Sequence, residues 1–142
     1  MSLHPYGRLT ASRLEKFEAT LGFPLPPDYH DFLLQSNGGK FQGATVLVTG
    51  LNEKVALDSF LGLDLEPRLN LEFVSEEYHK DIPPGCLLIG TDPGGGLVLL
   101  STNAKWSGIY YWDHSFWFEK STAENNIYPL ARSLTDLLRA VG

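Results

Sequence analysis

Apolar residues near the N-terminus recur with the 3.6-residue period of an α-helix. Three of them lie on one side of such a helix: Leu14, Phe17 and Leu21. Ser12 and Glu15 have the spacing of a capping box, in which each side chain bonds the backbone of the other end of the first turn. Gly22 can end the helix in a left-handed conformation. The pattern therefore predicts a first helix over residues 12–21.

A proline-rich connector, Phe23-Pro24-Leu25-Pro26-Pro27, leads into a second helical pattern. Proline disfavours helix in the residue before it but suits a first helical position, which Pro27 would occupy. Tyr29, Phe32 and Leu33 then form one apolar stripe. Asn37-Gly38-Gly39 favours the left-handed conformation that closes a helix, so we predict a second helix over 27–37.

The rest of the chain reads mostly as strands. Runs rich in β-branched, apolar or aromatic residues predict strands at 44–49, 55–61, 86–90, 97–102, 108–113 and 116–118. A weaker helical stripe of Leu69, Phe73 and Val74 lies within 67–80, and Ser133 opens a last helix over 133–141. His4 falls in a terminus expected to be frayed. This order predicts one α+β domain over 1–142, with its core at about 10–141 and a mainly antiparallel sheet covered by the N-terminal and C-terminal helices.

Composition narrows the possible partners and the compartment. The 142 residues are 43% hydrophobic and carry a net charge of −6, which argues against nucleic acid or an anionic membrane as a partner. No apolar run approaches the roughly 18 residues of a membrane helix, and the first 25 residues lack a signal-peptide pattern, so we expect a cytoplasmic protein. Cys86 is the only cysteine, which excludes an internal disulfide and suggests a buried apolar role.

A glycine cluster, GTDPGGGLVLL at residues 90–100, is the most distinctive local feature. Such a cluster can hold phosphates, but a phosphate loop must run into a helix whose N-terminal amides bind the anion. An apolar strand follows here instead, with no N-cap and no Lys-Ser or Lys-Thr pair. The cluster therefore favours a hairpin turn between the strands at 86–90 and 97–102.

Candidate catalytic and metal-binding residues are sparse. The four histidines share no zinc-ligand spacing, and we predict neither a metal site nor an organic cofactor. Asp113 and His114 form the most suggestive acid–base pair, since a histidine held by a carboxylate can act as a general base. A turn-forming aspartate beside a surface histidine explains the same pair without catalysis. A small hydrolase that uses Asp113 and His114 remains the enzymatic alternative.

Negative charge is concentrated between residues 53 and 81, where eight acidic residues face three basic ones. This segment is either a solvated face or an acidic surface that meets a basic partner. The aromatic strand around Tyr110 and Trp112 adds a second feature, because adjacent rings point to opposite faces of a strand. At least one face either packs under a helix or shows its rings to a ligand. The residues proposed to contact a partner are Glu72, Glu76, Glu77, Asp81, Tyr110, Trp112 and Trp117.

The order of these motifs resembles the SUKH superfamily, the Smi/Knr-like domain. The N-terminal part of the match is Leu21-Gly22, Leu25-Pro26-Pro27-Asp28-Tyr29, Phe32-Leu33 and Asn37-Gly38-Gly39. The later part is Ile89-Gly90-Thr91-Asp92 with Gly96, then Tyr111-Trp112-Asp113-His114 and the closing helix. The resemblance covers about residues 10–141, and 44–81 is its least diagnostic stretch.

The resemblance implies an α+β domain that binds proteins and supplies no catalytic residues. Bacterial members resemble immunity proteins that neutralise polymorphic or contact-dependent toxins, many of them nucleases, while fungal members are cell-wall and signalling regulators. Both roles stay open, as do the identity of the partner and the oligomeric state. The residues that match as markers of the fold are Pro26, Tyr29, Asn37, Gly38, Gly39, Gly90, Asp92, Gly96 and Trp112.

Overall fold

The computed structural model describes residues 3–48, 52–113 and 127–141. Within these ranges the helices are α1 (Ala11–Leu21), α2 (Pro27–Ser36), α3 (Leu71–Glu77) and α4 (Leu134–Ala140). The strands are β1 (Leu3–Pro5), β2 (Gly39–Phe41), β3 (Thr45–Val48), β4 (Glu53–Ala56), β5 (Ser59–Phe60), β6 (Cys86–Thr91), β7 (Leu97–Ser101), β8 (Gly108–Trp112) and β9 (Ile127–Ala131).

Seven of these strands form one sheet in the order β1-β2-β5-β6-β7-β8-β9. Every neighbouring pair in it is antiparallel, and β3 and β4 form a separate antiparallel hairpin. The predicted α+β class with a mainly antiparallel sheet is confirmed. None of the helices in the described ranges has the length and apolar character needed to span a membrane.

The two N-terminal helices lie where the pattern predicts them, with one change at a cap. Thr10, and not Ser12, is the N-cap of α1, because its side-chain oxygen accepts a 3.1 Å hydrogen bond from the amide of Arg13. The predicted capping box of Ser12 and Glu15 is therefore wrong, since both residues already lie inside the helix. Gly22 ends α1 with φ 79°, as predicted.

Asn37 closes α2 in the left-handed conformation, with φ 49°, and it is buried. Its side chain also holds the loop that follows β5. The Asn37 amide donates to the carbonyl of Leu63 at 2.9 Å, and Asn37 Oδ1 accepts from the Leu63 amide at 2.7 Å. Gly38 packs so closely that a Cβ there would lie 2.6 Å from the carbonyl oxygen of Leu61. Gly39 begins β2 and so belongs to the sheet and not to the cap.

The predicted strand at 55–61 is two strands with a crossing between them. The amide of Leu57 donates to Ala44 on the hairpin side at 3.0 Å, whereas the next amide, Asp58, donates to Thr91 of β6 at 2.9 Å. The chain thus passes from the hairpin to the main sheet within one residue. The pattern could not show this step because β4, the crossing and β5 form one continuous run of strand-like residues.

Three other expectations change. The segment around His4 is not frayed but pairs with Lys40 as edge strand β1, and β9 was not predicted at all. The weak helical stripe at 67–80 divides into a 3-10 turn, Pro67–Leu69, and α3. Asn70 separates them and caps α3 by accepting from the amide of Glu72 at 2.9 Å. The predicted strand at 116–118 lies outside the described residues.

Both faces of the aromatic strand β8 are covered. The register pairs Trp112 with Leu97 and Tyr111 with Val98, so the two aromatic residues point to opposite faces. On one face the Trp112 ring lies 6.0 Å from the ring of Tyr78, just after α3. On the other face Tyr111 packs with Val48 of the β3–β4 hairpin. The sheet therefore has a helix over one side of β8 and a hairpin over the other.

Candidate functional site

The glycine cluster forms the turn between β6 and β7, as predicted. The amide of Asp92 donates to the carbonyl of Gly96 at 2.9 Å, and the amide of Gly95 donates to the carbonyl of Asp92 at 3.3 Å. Gly95 has φ 93°, a backbone conformation that residues other than glycine rarely adopt. The Asp92 side chain accepts the Gly96 amide at 2.8 Å, which gives the turn a fixed shape.

The same aspartate connects the turn to β8. The hydroxyl of Tyr111 donates to Asp92 Oδ2 at 2.5 Å. Burial raises the pKa of Tyr111 above its ordinary range, and the carboxylate of Asp92 raises it further. A Cβ at Gly96 would lie 2.5 Å from Asp92 Oδ2, so only glycine leaves room for this contact. Asp92 and Gly96 therefore act together in packing the turn.

A shallow groove of about 330 Å³ lies between α3 and this turn. Phe73, Glu77 and Tyr78 line it on the helix side. Asp92, Pro93 and Leu97 line it on the hairpin side. We call this the α3–turn groove. It combines a mainly apolar lining with the exposed Glu77 and Arg68, a composition that suits contact with another molecule.

Phe73 stands out in this groove because half of its surface is exposed. Its relative exposure is 50%, whereas Leu71 and Val74 of the same helix are buried at 0% and 8%. The sequence stripe placed Phe73 on the buried side of its helix, and that assignment is wrong. Leu71 and Val74 are three residues apart and define the buried side, which leaves Phe73 turned away from it.

The profile of the SMI1 / KNR4 family (SUKH-1) matches residues 8–140, nearly the whole chain. The chain belongs to this family. The resemblance seen in the motif order is thus confirmed. A search of curated proteins returned no match.

The marker residues of this SUKH-1 chain have packing roles in the structure. Tyr29 is fully buried in α2, and Pro26 precedes that helix as its N-cap. Gly90 lies against the aromatic ring of Phe60, where a Cβ would come within 2.7 Å of Cδ1. Asn37 holds the loop after β5, as described above. These positions tie neighbouring elements together and offer no reactive group to a ligand.

The acidic residues predicted to contact a partner differ in their exposure and in whether another side chain already binds them. Glu72 accepts a 2.6 Å hydrogen bond from Arg13 of α1, which also binds Asp64 at 3.0 Å. The hydrogen bond to Asp64 is the main cause that raises the pKa of Arg13. Glu72 thus serves to hold α1 and α3 together. The sequence could not show this, because the two residues are far apart along the chain.

The other carboxylates of this SUKH-1 chain are more available to a partner. The side chain of Glu76 is 84% exposed, and its Oε1 lies 3.9 Å from the ring nitrogen Nδ1 of His79. Glu77 is exposed and faces the α3–turn groove. Asp81 is partly buried beyond the end of the helix. The structure therefore brings Glu76 and Glu77 to the surface beside Phe73.

The aromatic residues predicted to be exposed are not available in the same way. Trp112 is 2% exposed and lies under Tyr78, so the expectation that it offers its ring to a partner was wrong. Tyr110 is partly buried, and its ring lies 5.2 Å from that of Trp106. Trp117 lies outside the described residues. Phe73, which the sequence pattern placed on the buried side of its helix, is an exposed ring on α3 itself.

The imidazole of His30 is paired with a carboxylate, because its Nδ1 lies 2.7 Å from Oε1 of Glu18. Among the described residues no group of three or more His, Cys, Asp or Glu side chains is placed to hold a metal ion. Asp113 is exposed at the end of β8, and His114, its suggested catalytic partner, lies outside the described residues. Burial raises the pKa of Cys86, which disfavours the reactive thiolate and agrees with a structural role.

Proposed function

We propose that this chain is a non-enzymatic protein-binding domain of the immunity type, which neutralises a basic toxin domain in the cytoplasm. Membership of the SUKH-1 family over residues 8–140 carries the proposal. The marker residues are consistent with it, because Tyr29, Asn37 and Gly90 pack neighbouring elements of the fold together.

The charge of the chain supports a basic partner. The net charge is −6, and Glu76 and Glu77 extend from α3 into solvent. A nuclease toxin needs positive potential to hold the phosphate backbone of its substrate. An acidic protein is attracted to the same surface, which speeds the encounter and blocks the substrate site.

The first test is whether a gene next to this one in its native host encodes a toxin domain, which is then the partner to assay. Cells that express the toxin domain under an inducible promoter should stop growing, and co-expression of this chain should restore growth. The two purified proteins should also form a stable complex in isothermal titration calorimetry. A toxin domain from an unrelated locus serves as the control and should not be neutralised.

Two outcomes would contradict the immunity role. Growth arrest that continues despite a soluble, folded chain at matched expression would remove neutralisation as its function. Binding without protection would favour the alternative role, a regulatory or scaffolding protein of the Smi/Knr type. Hydrolysis of a nuclease or ester substrate by the purified chain, lost on His114→Ala with the fold intact, would overturn the non-enzymatic assignment.

A further inference from the structure

The exposed ring of Phe73 needs an explanation, because large aromatic side chains contribute most to stability when they are buried. Phe73 and Leu47 are the exposed large hydrophobic residues in the described part of the chain, at 50% and 48%. Leu47 stands alone on the β3–β4 hairpin, and single exposed apolar residues are common. Phe73 instead borders a groove with further apolar walls.

The walls of the α3–turn groove would extend an apolar contact made with Phe73. Pro93 lies on the hairpin side, the buried Leu97 forms part of the floor, and Tyr78 closes the helix side. The volume of about 330 Å³ is at the low end of the range for ligand pockets, roughly 300–1,000 Å³. The groove therefore suits one or two side chains of a partner better than a large cofactor.

The charges around the groove favour a partner that carries positive charge. Glu77 and Asp92 line it from opposite sides. The basic residue of the lining is Arg68. It is outnumbered by the acidic residues Glu76, Glu77 and Asp81 of α3 and of the segment that follows it. Burial raises the pKa of Tyr78, and the negative charges of Glu77 and Asp81 raise it further. Negative potential thus reaches the wall of the groove.

We propose that the α3–turn groove binds a protein segment that carries a lysine or arginine next to an apolar side chain. The apolar side chain would pack on Phe73 and Pro93, and the cation would lie beside the carboxylate of Glu77 on the helix side of the groove. A guanidinium or ammonium group can also stack on the face of an aromatic ring, which adds to its attraction to carboxylates. The inference rests on the proposed function and names its contact surface.

A second copy of this chain is a poorer occupant than a basic partner. Each copy carries a net charge of −6 and presents the same acidic helix, so two grooves brought together would repel each other. The same charges attract a basic segment. Charge complementarity therefore favours a partner of opposite sign over self-association.

The test uses a blocked synthetic peptide, Ser-Gly-Lys-Leu-Arg-Gly-Ser, titrated into the full chain labelled with 15N. Amide shifts should be confined to residues around the groove, such as Phe73, Tyr78 and Leu97. Affinity should fall at least fivefold in Phe73→Ala and in Glu77→Gln. The controls are Leu47→Ala and Glu53→Gln on the β3–β4 hairpin. They also shorten an exposed apolar side chain and remove a negative charge, but away from the groove, and should leave affinity unchanged. Peptides with glutamine in place of both basic residues, or serine in place of leucine, should bind more weakly.

Three results of the peptide titration would overturn the inference. These are no binding at millimolar peptide, shifts spread over the surface with equal losses in the control variants, and groove shifts that appear on concentrating the protein alone. The growth assay of the proposed function uses the toxin domain and not this peptide. Peptide binding in the groove without protection from the toxin would therefore contradict only the immunity role. A toxin complex whose affinity is unchanged by Phe73→Ala and Glu77→Gln would contradict only the proposal that the groove binds the partner.

Discussion

The hydroxyl of Tyr111 donates a 2.5 Å hydrogen bond to Oδ2 of Asp92 and so joins β8 to the turn between β6 and β7. The other oxygen of the same carboxylate accepts the amide of Gly96. One aspartate thus organises its own turn and attaches that turn to a strand two places along the sheet. Because the α3–turn groove has this turn as one wall, the bond also positions part of the candidate binding surface.

Removal of the Tyr111 hydroxyl should destabilise the protein. In Tyr111→Phe the carboxylate of Asp92 loses a donor in a partly buried position, and hydrogen bonds to charged groups contribute about 1.5–3 kcal/mol. We expect the free energy of unfolding in urea to fall by about that amount. A change within about 0.5 kcal/mol, the scatter of ordinary surface substitutions, would show that the bond contributes little.

The same chemical change in α2 should have the opposite sign. The hydroxyl of Tyr29 is buried without a hydrogen-bond partner among the described residues. Burial of an unpaired hydroxyl is unfavourable, so Tyr29→Phe should leave the free energy of unfolding unchanged or raise it by about 1 kcal/mol. Tyr111→Phe is the matched comparison in the same urea series. A clear loss of stability in Tyr29→Phe would reveal a partner for this hydroxyl.

Stability should fall at alkaline pH because of these two tyrosines. Burial raises the pKa of both Tyr29 and Tyr111 in the folded protein, whereas unfolded tyrosine ionises near pH 10. Their contribution is therefore complete below about pH 10 and is lost as the pH rises toward the folded values. Each contributes a slope of about 1.4 kcal/mol per pH unit above pH 10. Urea midpoints and slopes at several pH values should show a shallower fall in either Tyr→Phe variant, and an unchanged slope would contradict the assignment.

The glycines of the turn should differ sharply in their tolerance of a methyl group. A Cβ at Gly96 collides with Asp92 and the Tyr111 hydroxyl, whereas a Cβ at Gly94 meets only Asp92 Oδ1 at an ordinary 3.5 Å. We expect Gly96→Ala to lower the free energy of unfolding by about 1–3 kcal/mol, the usual cost of overpacking. Gly94→Ala should stay within about 0.5 kcal/mol of the wild type. Equal effects at the two positions would contradict the packing role of Gly96.

Charge reversal on α3 should slow association with a basic toxin domain. In Glu76→Lys with Glu77→Lys the steering potential changes sign near the groove, so the association rate should drop at low salt and much less at high salt, where charges are screened. Stopped-flow mixing at two ionic strengths measures this. Glu72 is left intact because its bond to Arg13 would be lost on reversal, which confuses binding with stability. An association rate that changes neither with the charge reversal nor with the salt concentration would show that this helix is a solvated face and not part of the interface.

Local patterns determined most of the secondary structure. The periods of α1 and α2, their closing residues Gly22 and Asn37, and the turn between β6 and β7 depend on neighbours in sequence, so they could be predicted. The order of these motifs also identified the family, since a long series of weak matches in the right order is specific even when each match alone is not. The short strands β1, β2 and β9 were not predicted, because each forms by pairing with a strand elsewhere in the chain.

Which residues form the candidate binding surface was decided only by the tertiary structure. Alternation along β8 shows that Tyr111 and Trp112 point to opposite faces, but it cannot show that α3 and the β3–β4 hairpin cover both. Likewise the sequence places Glu72 in an acidic segment, but only the structure shows that Glu72 of α3 forms an ion pair with Arg13 of α1. The exposure of Phe73 depends on which side of α3 faces the sheet. The buried residues Leu71 and Val74 show which side this is. Local sequence determines which way a side chain leaves its own element, and only packing between elements determines what it meets there.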